Sequence, residues 1–430
     1  MLATRINKER LFIFSKRKLA YLCLYTAVII AYLGSLNPWF MWSIGALYPI
    51  PACMMILVAF YLSWNRDNFL FRNRHLWATI AYLLVSTYIV FAERGNIKSL
   101  IVNGFHILFF YFVFRLSFAD LRKTCDALSR FMGIILCISL FGFALYLIGV
   151  PLPGRNAMFG DGVYTFTNYF LFLLDDRSLF SIVPRFNAYF LEPGHLGSAT
   201  VLLLATQIGK WNRWYNKVLI VTTLLTFSLA AYVYFVVLIF LKLWLQGKHF
   251  IKHAIAVIIA IAAIVGGSFV YRGGDNMIHT LIVLRMEISD EGKLAGNNRT
   301  TGTFDEEYAS YLHSSDILIG RGNEEIPVGN SGFKVFIYRE GLIGLALVIA
   351  FYLISFYPSK EKKSVFAALL IAVMAFVVRG YPLWDSNFIP LYELAFADTF
   401  LFSSESKKGL TSNIVRRLAQ FLTIKADRNG

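Results

Sequence analysis

The residues best able to do chemistry cluster in the segment Pro184-Arg185-Phe186-Asn187-Ala188-Tyr189-Phe190-Leu191-Glu192-Pro193-Gly194-His195-Leu196-Gly197. Arg185 offers a planar guanidinium that can grip phosphate bidentately. Pro193 suits the first turn of a helix, where its missing N–H costs nothing, so Glu192 is expected to cap or precede that helix. A helix N-terminus presents free N–H groups and a partial positive charge, both attractive to an anion. Glu192 and His195 are three residues apart and share one helical face. Either could serve as a general base or as an orienting group. The plainer alternative pairs Glu192 with Arg185 and makes His195 an interfacial residue.

A second set lies further along: Arg285, Arg299 and Arg321, with Asn297-Asn298-Arg299-Thr300-Thr301 and the glycine-flanked turn Ile319-Gly320-Arg321-Gly322-Asn323. Glycines there permit tight turns and close backbone approach. Gly329-Asn330-Ser331-Gly332-Phe333 follows at the mouth of an apolar segment that carries Tyr338, Arg339 and Gly341-Leu342-Ile343-Gly344. Each of these arginines is either a ligand contact or a solvated charge. His106, Arg115, Arg379, Glu393 and Asp398 are the other ionisable residues in or beside apolar segments. Arg115 is expected to snorkel. For Arg379 and Glu393 a structural ion pair is expected, with a proton or ion relay as the alternative. Asp175-Asp176 could in principle bind a cation, but a solvated acidic pair is the expectation, and no metal site or cofactor is expected. There is no GxxxxGK[ST], HExxH, GxSxG or paired CxxC motif, which argues against ATP hydrolysis and the common soluble hydrolase chemistries.

These residues must be positioned by an unusually apolar chain. Of 430 residues, 57% are hydrophobic and only 16% charged. A soluble domain carries about a quarter charged residues. The bilayer is therefore the expected solvent, in an all-α polytopic membrane protein forming one integral domain, 1–430. Spans are expected near 19–36, 40–63, 76–92, 99–118, 131–152, 187–209, 254–271, 334–356, 365–380 and 386–403. The stretch 218–245 is too long for one ordinary helix and has positive charge at both ends. It is expected to form a hairpin turning near Ser228–Ala231, which brings the total to about twelve spans.

The net charge of +15 is an orientation signal in this context. The N-terminus, the loops at 64–75, 119–130, 210–217, 242–252 and 357–364, and the tail from Lys407 hold 27 of the 41 Lys and Arg residues. Both termini are then expected to be cytoplasmic. The opposite face carries two long loops, 153–186 and 272–333, too long for simple connectors. The second holds five basic residues against ten acidic ones. Both loops are expected to contain short amphipathic elements, at Val163–Leu174 and Met277–Met286. Cys23, Cys53, Cys125 and Cys137 all avoid these loops, so no disulfide framework is implied.

This pattern resembles the O-antigen and capsular or exopolysaccharide polymerase family, the repeat-unit polymerases of the bacterial inner membrane. The resemblance covers nearly the whole chain as topology. At residue level it covers Arg185 to Gly197, similar to an arginine-then-Glu-Pro element. It also covers Arg285 to Gly344, with an arginine–spacer–glycine pattern from Arg285 to Gly296, a G-x-G turn and a Gly-Leu-Ile-Gly helix. The related O-antigen ligases place a histidine after the G-x-G turn. Here that region reads Val328-Gly329-Asn330-Ser331-Gly332, and His313 lies before the turn, which favours polymerase over ligase.

The resemblance implies that two undecaprenyl-pyrophosphate-linked oligosaccharides meet at the periplasmic face. A hydroxyl of the incoming unit attacks the anomeric carbon of the growing chain, and undecaprenyl pyrophosphate leaves. The leaving charge needs cations or helix N-termini. On this reading Arg185, Glu192 and His195 are the catalytic candidates, with Glu192 the first choice of base. Arg285, Arg299, Arg321, Asn330, Tyr338 and Arg339 are the substrate contacts. Membrane lipid, a chain-length-regulating co-polymerase and a flippase are the implied partners, and no nucleic acid is. A ligase, or a flippase or secondary transporter, is the alternative. A transporter would call for inverted repeats, and no such symmetry is visible.

Overall fold

The computed structural model describes residues 2–64, 70–71, 75–160, 162, 164–176, 184–247, 250–276, 278–287, 300–322 and 332–397, without the side chains of 2–15, 281 and 285. Among these residues, seven helices are long and apolar enough to cross a membrane. They belong to α1 (Leu2–Leu36), α2 (Pro49–Ser63, extended by the turn at Gly45–Leu47), α4 (Ile97–Arg115), α5 (Phe118–Leu147), α8 (Leu229–Gln246), α9 (Phe250–Val270) and α11 (Phe333–Phe356). α3 (Leu76–Ala92) is apolar but shorter. The other expected spans coincide with α6 (Pro193–Thr206), α7 (Trp214–Leu225), α12 (Lys362–Arg379) and α13 (Asp385–Ala395). The helix α10 (Gly302–Tyr311) lies in the second long loop.

The long stretch 218–245 does break into two helices. The break falls at Thr226–Ser228, slightly before the expected turn, with Phe227 at positive φ and the Ser228 hydroxyl capping the Ala231 N–H of α8.

The centre of the bundle is built from its two short helices. Every residue of α6 except His195 is buried, and every residue of α13 is buried. A helix apolar on all sides belongs in a core. At 14 residues α6 is about 21 Å long, short of the ~30 Å hydrocarbon thickness. Such a short helix is tolerated because protein, not lipid, surrounds it. α6 and α13 pack against each other and share the neighbours α1 and α5, or the helices that flank them. The Tyr32 hydroxyl of α1 donates to the Ala199 carbonyl (3.0 Å), and Ser35 Oγ accepts from the Ser386 N–H (3.0 Å). By contrast only Ser268 of α9 is buried.

The first long loop corrects the all-α expectation. Instead of an amphipathic helix, 155–175 forms an antiparallel three-stranded sheet, β1 (Arg155–Phe159), β2 (Tyr164–Asn168) and β3 (Leu173–Asp175), in that order. Aromatic and β-branched residues alternate along Tyr164-Thr165-Phe166-Thr167, a pattern suited to a half-buried pleat. Phe166 faces the core beside Leu173 and Leu191. The chain after this sheet is held on two sides, by Leu173 N–H to the Ala188 carbonyl (2.7 Å) and Trp39 N–H to the Tyr189 carbonyl (2.9 Å). Those bonds fix the approach to Glu192. In the second loop, short helical turns occupy His279–Val283 and Leu284–Met286.

α11 is broken after Glu340 by Gly341, at φ +65°. The break would leave carbonyls unpaired, and the second loop supplies their partners. Arg321 N–H donates to the Tyr338 carbonyl (2.8 Å) and Gly322 N–H to that of Arg339 (3.0 Å). A Cβ on Gly320 would lie 2.1 Å from the Arg339 carbonyl oxygen, so only glycine permits this approach.

Candidate functional site

Glu192 stands in extended conformation at the start of α6, but its carboxylate does not cap the helix. One oxygen accepts from Arg379 Nη1 (2.7 Å) and the other from the Tyr164 hydroxyl (2.8 Å). His195 Nε2 lies 3.6 Å away. The partner expected from sequence, Arg185, is not the one observed. Its Nε donates to the Thr226 carbonyl (3.0 Å), beside the bond from Phe186 N–H to the Leu225 carbonyl. Arg185 therefore braces the end of α7, two residues from Ser228, which lies against Gly194.

The Arg379–Glu393 pair is also overturned. Arg379 closes α12 on the loop face, whereas the charged neighbours of Glu393 are Arg122, Lys210 and Asp126. The two groups sit at opposite ends of the bundle because α12 and α13 are joined by a tight loop at Arg379's end. Asp398 lies outside the described residues. His106 bonds Asp385 (2.9 Å), which also accepts from the Tyr48 hydroxyl (2.8 Å), and this buried cluster fixes the start of α13.

Arg379 is the best-placed cation on this face. Its side chain is 6% exposed. It lies across the first turn of α6, where a Cβ on Gly194 would come within 2.0 Å of Nη2. Its Nε has no hydrogen-bond partner. The connecting loop adds an aromatic wall: Tyr381 and Trp384 stack at 4.4 Å, and Trp384 meets the His195 ring edge-on at 4.9 Å. Burial alone would raise the Glu192 carboxyl. His195, Arg379 and the hydrogen bonds from Tyr164 and Arg379 outweigh it and hold the group well below the usual carboxylate range. Glu192 is therefore a firmly anionic anchor for Arg379, and a weak base.

A narrow cleft continues from Arg379 past Gly380, Tyr381 and Gly332 to Arg339 and Glu340. The structure thus brings Arg339 into the same space as Arg379. Arg339 Nε and one Glu340 oxygen lack hydrogen-bond partners there.

Arg321 and Tyr338 come together elsewhere. Arg321 is bonded to Asp316 (3.2 Å) and the Tyr338 hydroxyl (3.3 Å), lies 3.5 Å from Glu307, and covers the rings of Tyr311 and Tyr338. Tyr338 in turn donates to Glu307. This cluster ties the second loop to α11. Of the other sequence candidates, Arg285 lies in the turn Leu284–Met286 but its side chain is not described, and Arg299 and Asn330 lie outside the described residues.

Sequence reasoning missed Tyr164, Tyr381, Trp384, Glu93 and Glu340, and gave Arg379 the wrong partner. A usable signal existed. Arg379-Gly380-Tyr381-Pro382-Leu383-Trp384-Asp385 packs two charges and two aromatics into a short connector, and Glu93-Arg94 puts two charges between α3 and α4.

No known protein family matches the chain, and neither a characterised protein nor a solved structure shows significant similarity to it.

Proposed function

We propose that the chain is a lipid-linked oligosaccharide polymerase of the bacterial inner membrane, with about twelve spans, cytoplasmic termini and both long loops periplasmic. The single observation that carries the reading is the cleft lined by Arg379 and Arg339 beside a half-buried carboxylate and an aromatic stack. Two guanidiniums suit a diphosphate, and a flat aromatic face suits a sugar ring.

In this reading the incoming unit's hydroxyl oxygen attacks the anomeric carbon of the growing chain. The bond from that carbon to the diphosphate breaks, and undecaprenyl pyrophosphate departs with the bonding electrons. Arg379 and Arg339 stabilise the charge that develops on it, a contribution worth several kcal/mol in a water-poor site. Glu192 orients Arg379, and Trp384 and Tyr381 hold a sugar at the cleft mouth. Diphosphate is already a good leaving group, so strong acid catalysis is unnecessary. Membrane lipid is the solvent of the polyprenyl tail, and a flippase and a co-polymerase are the natural suppliers and regulators of such a reaction.

Deletion of the gene in its host, followed by sugar gels of the surface polysaccharide, tests the reading. Polymerase loss leaves single repeat units on their carrier or core, and the native chain restores the ladder. A ladder of normal length in the deletion strain contradicts the proposal. Loss of all attached polysaccharide favours the ligase alternative.

A further inference from the structure

The hydroxyl proton in the proposed reaction needs a destination, and Glu192 is held too firmly as an anion to take it. A different pair of carboxyls borders the cleft. Glu340 is 2% exposed and lies on the cleft wall next to Arg339. Its carboxyl hydrogen-bonds that of Glu93, at the end of α3, and its Oε2 is buried and accepts from no N–H or hydroxyl donor. Two carboxyl groups can share a hydrogen bond only if one keeps a proton, because like charges at that distance cannot both ionise. The pair therefore holds one proton and one negative charge at the wall of the cleft.

The pair is rigidly built. Glu340 immediately precedes the helix break at Gly341, and the Tyr88 hydroxyl of α3 donates to the Glu340 carbonyl (3.0 Å) and to that of Ile319 (3.1 Å). The groups facing it are Glu93 and Tyr88 from α3, Arg339 from its own helix, and Arg379 and Tyr381 from the end of α12 and its loop. Two independent observations point to a ligand in this space: Arg339 and Arg379 each have a buried Nε without a hydrogen-bond partner. The cleft itself admits a water or a hydroxyl group, so the sugar ring and its diphosphate stay at the mouth, within reach of the arginines on the walls.

We propose that Glu340 and Glu93 form a proton relay that removes the acceptor hydroxyl proton during glycan transfer. The pair takes the proton through Glu340, directly or through one water. The proton the pair already holds shifts to Glu93 along their hydrogen bond. Both carboxyls end neutral, the pair's charge goes from −1 to zero, and the proton is returned to the solvent on the loop face before the next turnover. Glu340 is the group that meets the reacting hydroxyl, and Glu93 is a positioning residue that completes the transfer. Burial pushes the Glu93 carboxyl up, against the pull of Arg339 and the hydrogen bond with Glu340, which makes it a better proton sink than Glu192.

This inference rests on the polymerase reading, and the experiment separates the two. Purified full-length protein in proteoliposomes is given lipid-linked repeat units, and transfer is measured for the native chain, Glu340→Gln and Glu93→Gln. Inorganic pyrophosphate protection against thermal unfolding is measured on the same samples. The relay predicts transfer slowed at least about 100-fold in Glu340→Gln, with pyrophosphate protection retained. It also predicts a slower Glu93→Gln enzyme whose rate no longer falls on the acid side as the native rate does. An active native chain with Glu340→Gln within threefold of it overturns the relay alone. So does loss of pyrophosphate protection in Glu340→Gln, which would make the pair a support of the cleft. No transfer by the native chain overturns the relay together with the polymerase reading.

Discussion

Arg379 and Arg321 stand on the same face of the bundle, each bonded to carboxylate with tyrosines close by, yet they are different devices. Arg321 is bracketed by Asp316 and Glu307 and stacked over two tyrosines. Its side chain is 24% exposed, and its backbone is bonded into the break of α11. Arg379 has a single carboxylate partner, is 6% exposed, and keeps donor capacity toward a cleft. A guanidinium has five N–H donors. What separates a brace from a ligand-binding arginine is how many of them the protein uses itself. Motif spacing cannot supply that count, because the partners of both arginines come from other segments.

The larger of the expected effects on stability belongs to the Arg379 cluster. Glu192→Gln should destabilise the protein at neutral pH by roughly 1–3 kcal/mol, since it leaves a buried guanidinium without its counter-charge. The folded state holds this carboxyl below its unfolded value of about 4.3. Its stabilisation is therefore complete above that value and is lost as pH falls through the folded one. The difference in thermal unfolding temperature between native protein and Glu192→Gln should shrink as pH falls below about 4. A gap that widens as pH falls below about 4 would show that the pair is not held as described.

Arg321→Ala should have the smaller effect. Its ion pairs are partly solvated and worth about 1 kcal/mol or less each. Thermal unfolding in detergent should come a few degrees earlier, while transfer per folded molecule stays within about threefold of native. A hundredfold loss of transfer with intact folding would move Arg321 into the site and erase the contrast with Arg379.

Much of the scaffold was legible because hydrophobic run length and flanking charge are local properties. The helices, the break inside 218–245 and the loop-face placement of Glu192-Pro193 all follow from them. The three-stranded sheet was misread because only Tyr164 to Thr167 alternates, whereas Tyr169 to Leu174 is an unbroken aromatic and apolar run with no visible period of two. Arg185 and Glu192 were paired by proximity in sequence, whereas Glu192 is bonded to a residue 187 positions away. Arg379 was paired with Glu393 because the two lie in consecutive apolar segments, but an 11-residue helix carries Glu393 to its far end. Glu340 was overlooked beside Arg339 because nothing local reveals that Glu93 comes to meet it.

The central claim is that Arg379 binds the diphosphate of the growing chain. Its most direct test is reconstitution of native protein and Arg379→Gln in proteoliposomes with lipid-linked repeat units, scored by product length and by inorganic pyrophosphate protection. The account predicts a ladder from the native protein. From Arg379→Gln it predicts single units only and at least tenfold weaker pyrophosphate protection. A full ladder from Arg379→Gln would contradict it.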